Sequence, residues 1–146
     1  MTPDVNVVIA ASRNDHPNHK LALAWLTKSL IDCSQGASFK LLPMVAASYL
    51  RLATNPKIFA VPTPIDQAVN YIDAILDSPG VQMPNQATEW PAFRRLCLDK
   101  KLSGNALPDA WLAAAVLQMD DHLVTFDADF KQLLPARAVT ILSGKK

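Results

Sequence analysis

Residues 108–130 constrain the fold more than any other part of the chain. They begin with an alanine- and leucine-rich segment of helical composition and end in a short apolar run, residues 122–126. That order predicts a helix, a tight turn and a buried strand. Asp109 and Asp127 stand near the two ends. A helix that leaves a sheet and a strand that returns to it place both carboxylates at the same edge of that sheet.

Helix and strand patterns alternate along the rest of the chain. Helices are predicted to begin near residues 17, 43, 64 and 88, and strands are predicted at residues 39–42, 81–83 and 139–142. This alternation with short loops predicts an α/β fold with a mostly parallel sheet. The apolar run at residues 7–11 is ambiguous, because a buried strand and a buried helix share that pattern.

The helix near residue 88 is predicted in more detail. Thr88 is the expected cap, and Pro91 lies in the first turn. Trp90 is expected on the apolar side of this helix, opposite Arg94 and Arg95.

Length and composition indicate one domain over residues 1–146. Half of the 146 residues are hydrophobic and the formal net charge is +1, which argues against disorder and points to no particular partner. No apolar run approaches the roughly 20 residues of a membrane span, and the N-terminus has no secretory signal pattern. Two cysteines without close spacing do not form a disulfide scaffold. We therefore expect a cytoplasmic protein.

Four aspartates are predicted to gather where ligands bind in parallel α/β folds, outside the carboxyl ends of the strands. They are Asp4, Asp109, Asp127 and Asp129. Carboxylates without basic partners take up protons or bind a cation, and Mg²⁺ or Mn²⁺ prefers such oxygen ligands. Two ions about 3.5–4 Å apart can activate water and stabilise the leaving oxygen of a phosphodiester. Helix capping and turn formation remain open as the alternative role of each acid.

Other catalytic chemistries find less support in the sequence. His16, His19 and His122 lack the spacing of a zinc site. No nucleophile elbow and no glycine-rich phosphate loop is present among only four glycines.

Three motifs together resemble the PIN-domain family, and among its members the VapC ribonuclease toxins of bacterial type II toxin–antitoxin systems. They are the D-x-N of Asp4 and Asn6, the P-D-A-x-L-A-A-A at residues 108–115, and the L-V-T-F-D-A-D-F at residues 123–130. Residues 49–59 resemble a run found in a subgroup of those toxins. The resemblance implies a PIN fold, in which a parallel twisted sheet is flanked by helices in three α/β/α layers. It also implies a Mg²⁺- or Mn²⁺-dependent endoribonuclease, a homodimer and a VapB-like antitoxin that silences it. At the N-terminus it implies that Asp4 ends a very short first strand and that residues 5–11 start a helix.

The resemblance also assigns roles to residues. Asp4, Asp109 and Asp127 are the implied catalytic metal ligands, and Asp129 is an accessory one. Asn6 and Thr125 match polar residues that orient the acids. Under this hypothesis metal-activated water cleaves the RNA phosphodiester bond. Basic side chains outside the pocket are candidates for binding the RNA backbone: Arg51, Lys57, Arg94, Arg95 and Lys100.

One position departs from the family pattern. Most members have a glutamate three residues before the arginine that matches Arg51, and here that residue is Ser48. The second metal is therefore expected to bind weakly or only together with substrate. A non-catalytic PIN-like module that binds RNA or a protein remains the alternative. A phosphoacceptor domain is disfavoured, because Val5 and Asn6 follow Asp4 where a second acid is needed.

Overall fold

The computed structural model describes residues 1–86 and 88–143, so the last three residues of the chain lie outside it. The elements, in chain order, are β1 (Thr2–Pro3), α1 (Val5–Ser12), α2 (His19–Ser34), α3 (Pro43–Ala53), α4 (Ile65–Leu76), α5 (Trp90–Asp99), α6 (Ala106–Gln118), β2 (Leu123–Thr125), two short 3₁₀ helices (Ala128–Gln132 and Ala136–Ala138) and β3 (Val139–Ile141).

The three strands form a parallel sheet in the order β1–β2–β3. The predicted strands at 39–42 and 81–83 contribute only a single parallel bridge, between Lys40 and Gln82. The Lys40 N–H also donates to the Met1 carbonyl at 2.9 Å, so this segment extends the sheet beyond β1. The parallel α/β fold is confirmed, and the carboxyl ends of β1 and β2 lie at the same edge.

Residues 7–11 are helical, which confirms the helix that the PIN-domain resemblance implies for the ambiguous apolar run. They lie in α1, and all five are buried. A helix that is surrounded by other elements needs no polar face, so its sequence loses the 3.6-residue period that identifies a surface helix. α6 is similar, because residues 112–116 are all buried behind its first turn.

Two details predicted for α5 are wrong. Glu89, not Thr88, precedes the helix as its N-terminal flanking residue. Trp90 is 61% exposed and lines a surface groove together with Arg94 and Arg95, so it lies on their side of the helix. No residue of α5 is fully buried, but Leu96 packs against the core from the inner side of the helix. Trp90 lies on the outer side.

Within the described residues, no helix is both long and apolar enough to cross a membrane.

Candidate active site

Asp4 follows β1 directly, and its carboxylate is held by the chain around it. One oxygen accepts the Val5 N–H at 2.7 Å, which caps α1, and the other accepts the Thr125 hydroxyl at 2.8 Å. Asp4 therefore does cap α1, which was the alternative role predicted for it. The residue is only 6% exposed. Burial raises the pKa of Asp4 to about 6, against the two hydrogen bonds and with help from the charges of Asp109 and Asp127.

Asp109 lies in the first turn of α6, which begins three residues earlier, at Ala106. It is therefore not the cap of that helix, and capping does not account for it. Partial burial raises its pKa, and the charges of Asp127 and Asp129 raise it further. The amino-terminal end of a helix, by contrast, favours a negative charge.

Asp127 and Asp129 follow β2 at the same edge. One oxygen of Asp127 accepts the Asp129 N–H at 2.9 Å and caps the 3₁₀ helix Ala128–Gln132, so the turn alternative also describes part of its role. Asp129 is exposed and lines a cavity of about 420 Å³ together with Asp109. The four carboxylates therefore face one region from three chain segments.

The hydroxyl of Thr125 connects the two halves of this region. It donates to Asp4 and accepts from Asn6 Nδ2 at 3.1 Å and from the Asp127 N–H at 3.0 Å. Asn6 Oδ1 in turn accepts the Phe126 N–H at 3.3 Å. Thr125 is fully buried at the end of β2. This network fixes the orientation of the Asp4 carboxylate relative to the loop that carries Asp127.

A second cavity, of about 350 Å³, lies between α3 and α6 and contains both Asp4 and Asp109. Ser48 lines its α3 wall, so the position that departs from the family pattern does face the acids. The wall is uncharged at that point.

No ion pair to a described Lys, Arg or His neutralises the four carboxylates. Across residues 1–86 and 88–143, no group of three or more Asp, Glu, His or Cys side chains is arranged so that all of them could hold one metal ion. An open set of carboxylates fits Mg²⁺ or Mn²⁺ nevertheless, since Mg²⁺ commonly uses one or two carboxylates and completes its shell with water and substrate phosphate.

The five candidate RNA-binding residues are all exposed. Arg94 and Arg95 share the groove on α5, whereas Arg51 lies in the last turn of α3, Lys57 follows α3, and Lys100 follows α5. None of these five described residues lines either cavity that contains Asp109.

The sequence interpretation missed Glu89. Its carboxylate is 5% exposed and accepts the Trp111 indole N–H at 2.6 Å, and Trp111 lines the cavity between α3 and α6. One signal was available, because Glu89 is the only glutamate in the chain.

The chain is similar to known proteins over nearly its whole length. Residues 1–133 match the PIN domain family model. Ribonuclease VapC31 of Mycobacterium tuberculosis is 34% identical over 93% of this chain and 94% of its own length. Ribonuclease VapC25 of the same organism is 33% identical with the same coverage, and Ribonuclease VapC48 is 30% identical over 98% of both chains.

A solved structure shows the same fold. It is the crystal structure of VapBC2 from Rickettsia felis bound to a DNA fragment from their promoter, and a chain of it matches with a TM-score of 0.65 and 14% identity over 97% of this chain and 98% of that one. At that identity the likeness shows the fold alone. The family model and the VapC relatives, which span nearly the whole chain, show that this chain belongs to the PIN-domain family of VapC ribonucleases.

Proposed function

We propose that this protein is a metal-dependent endoribonuclease toxin of the VapC type. The observation that carries the proposal is the group of four aspartates at the carboxyl edge of a parallel sheet, without a neutralising cation among the described residues. Membership of the VapC ribonucleases supplies the class of substrate, which is RNA.

Asp4, Asp109 and Asp127 would hold a Mg²⁺ or Mn²⁺ ion, with Asp129 in an accessory position. The ion would supply Lewis acidity toward the phosphodiester and lower the pKa of a water molecule. Thr125 and Asn6 keep the Asp4 carboxylate in one orientation, so little reorganisation is needed when the charge is used. The raised pKa values of Asp4 and Asp109 indicate that the metal-free carboxylates repel each other and are unfavourably buried. A cation would relieve both costs.

The protein is expected to act in the cytoplasm as a single domain that forms a homodimer. A VapB-like antitoxin is the expected partner, since the structural neighbour carries the name VapBC2. The exposed basic residues on α3 and α5 would contact the RNA backbone, and their effect should weaken with salt.

Purified protein incubated with structured RNAs and Mn²⁺ tests the proposal. Wild-type protein should cleave the RNA at discrete positions, and Asp4→Asn and Asp109→Asn should not. Asp73→Asn changes an exposed carboxylate on α4 and is the matched control. Induced expression should arrest growth for wild type and for Asp73→Asn, but not for Asp4→Asn or Asp109→Asn. Equal toxicity of wild type, Asp4→Asn and Asp109→Asn would refute a nuclease toxin.

A second candidate is a catalytically weakened PIN-like module that binds RNA or protein. Ser48 favours it, because the α3 wall of the cavity lacks the carboxylate that the family pattern places there. RNA binding without any Mn²⁺-dependent cleavage would support this candidate over the first.

A further inference from the structure

The cavity between α3 and α6 has two chemically different sides. Asp4 and Asp109 provide the acidic side. The remaining lining is uncharged and mostly apolar, and it includes Met44, Ser48, Pro108, Trp111 and Leu112. No Lys or Arg of the described chain lines it, so the uncharged side is unsuited to a phosphate. A flat apolar group beside the acids suits this side better.

Among the α6 residues that line the cavity, Trp111 lies farthest from Asp109 around the helix axis. The two residues are two positions apart on one helix, which separates their side chains by roughly 200° around its axis. Pro108 and Leu112 lie between them and line the same cavity. Trp111 is 42% exposed although it belongs to a helix whose residues 112–116 are buried.

A buried carboxylate fixes the polar edge of this indole. Trp111 Nε1 donates to Glu89 Oε1 at 2.6 Å, and Glu89 is 5% exposed. Indole has one donor and no acceptor, so the accessible part of this side chain is apolar ring surface. A buried acid is an expensive means of holding a side chain that only packs, because its desolvation must be offset.

The same segment also supports the opposite wall. Gln86 Oε1 accepts the Met44 N–H at 3.0 Å in the first turn of α3, and Met44 lines the cavity. Residues 86 and 89 therefore fix α3 and α6 on either side of the opening. A cavity braced in this way is preorganised for a ligand.

We propose that Trp111 is a stacking platform for a nucleobase next to the scissile phosphate, and that Glu89 is the residue that positions it. This inference rests on the proposed function, because it places the phosphate beside the metal ion that Asp4 and Asp109 would hold, and the neighbouring base in the cavity between α3 and α6. Single-stranded RNA is commonly recognised by stacking of unpaired bases on aromatic side chains. Stacking tolerates every base, so the platform orders the strand without selecting its sequence.

A short oligouridine with one central 2-aminopurine tests the platform. It is titrated with full-length protein in the Asp109→Asn background, which keeps the probe intact. Stacking on an indole quenches the 2-aminopurine fluorescence. Adding Trp111→Ala should abolish this quenching and weaken binding by roughly 5- to 150-fold.

Glu89 needs a readout that a purely structural role would not change. Glu89→Ala should lose the quenching, and Glu89→Gln should restore it, because an amide oxygen can still accept the indole N–H. Trp90→Ala removes the other strongly exposed tryptophan, which lies outside this cavity, and should leave the quenching intact. Thermal melting monitored by circular dichroism identifies variants that fail to fold; if Trp111→Ala does, Trp111→Leu takes its place.

Quenching that persists in a folded variant without Trp111 overturns the proposal. An Asp109→Asn protein with Trp111 intact also overturns it if that protein binds the probe without quenching or does not bind the probe. The nuclease is judged separately, by Mn²⁺-dependent cleavage in the wild-type background. Quenching without cleavage would refute the nuclease and leave the platform standing.

Discussion

Replacing Asp4 with asparagine should stabilise the metal-free protein. Burial raises the pKa of Asp4 from 3.8 to about 6, so the charged form is disfavoured in the folded state. At 1.36 kcal/mol per pKa unit, this shift lowers the free energy of unfolding at neutral pH by about 3 kcal/mol. Asparagine avoids that cost. The asparagine also weakens the contact with the Thr125 hydroxyl, which already accepts two N–H groups. This loss reduces the gain in stability by about 1 kcal/mol.

The net gain is therefore about 2 kcal/mol for Asp4→Asn, or roughly 4–8 °C in melting temperature. Its pH dependence has a defined sign. A raised pKa in the folded state means that the stability of the wild type falls as pH rises through about 6. The difference between the two proteins should be small near pH 4, grow toward pH 6 and then remain constant.

Urea denaturation followed by circular dichroism in EDTA measures this difference. Asp73→Asn, on the exposed face of α4, should change stability by less than about 0.5 kcal/mol. Mn²⁺ should stabilise the wild type by mass action and have little effect on Asp4→Asn. The reasoning is refuted if Asp4→Asn is less stable than wild type in EDTA at neutral pH, or if the difference does not vary with pH.

Three further predictions concern other parts of the molecule. Thr125→Val should reduce Mn²⁺-dependent RNA cleavage and lower stability by about 1–3 kcal/mol, whereas Thr125→Ser should preserve both; equal loss in the two variants would contradict a role for the hydroxyl. Ser48→Glu should tighten Mn²⁺ binding measured by calorimetry, and unchanged affinity would show that this position does not reach the metal. Arg13 is buried, donates to the Val61 carbonyl at 2.8 Å and lies 3.8 Å from the Phe59 ring centroid; Arg13→Ala should cost about 2–4 kcal/mol in urea denaturation without changing Mn²⁺ affinity, and a weakened metal site would argue against a purely structural role.

The sequence determined the class of fold and the location of the acids. Short apolar runs separated by helical segments can form a parallel sheet only through helical crossovers, and parallel strands present their carboxyl ends at one edge. Asp4 directly follows β1, and Asp127 follows β2 after one intervening residue. The placement of Asp127 therefore followed from a local pattern, whereas the very short strand that ends at Asp4 was implied only by the PIN-domain resemblance.

Tertiary packing decided what periodicity could not. Residues 7–11 are helical because other elements surround α1, and a fully surrounded helix has no polar face to reveal its period. Trp90 is exposed because it lies on the side of α5 that carries Arg94 and Arg95, whereas Leu96 lies on the side that packs against the core.

The finer chemistry of the site also depends on contacts between distant residues. The pKa of Asp4 is set by burial and by Thr125, 121 positions away, and the orientation of Trp111 is set by Glu89, 22 positions away. No local pattern predicts such pairs, because the two partners are far apart in the sequence and the residues next to each one carry no information about the other. The sequence alone thus determined which acids meet at the sheet edge. Only the folded chain decided how strongly those acids are buried, what orients them, and which uncharged wall lies beside them.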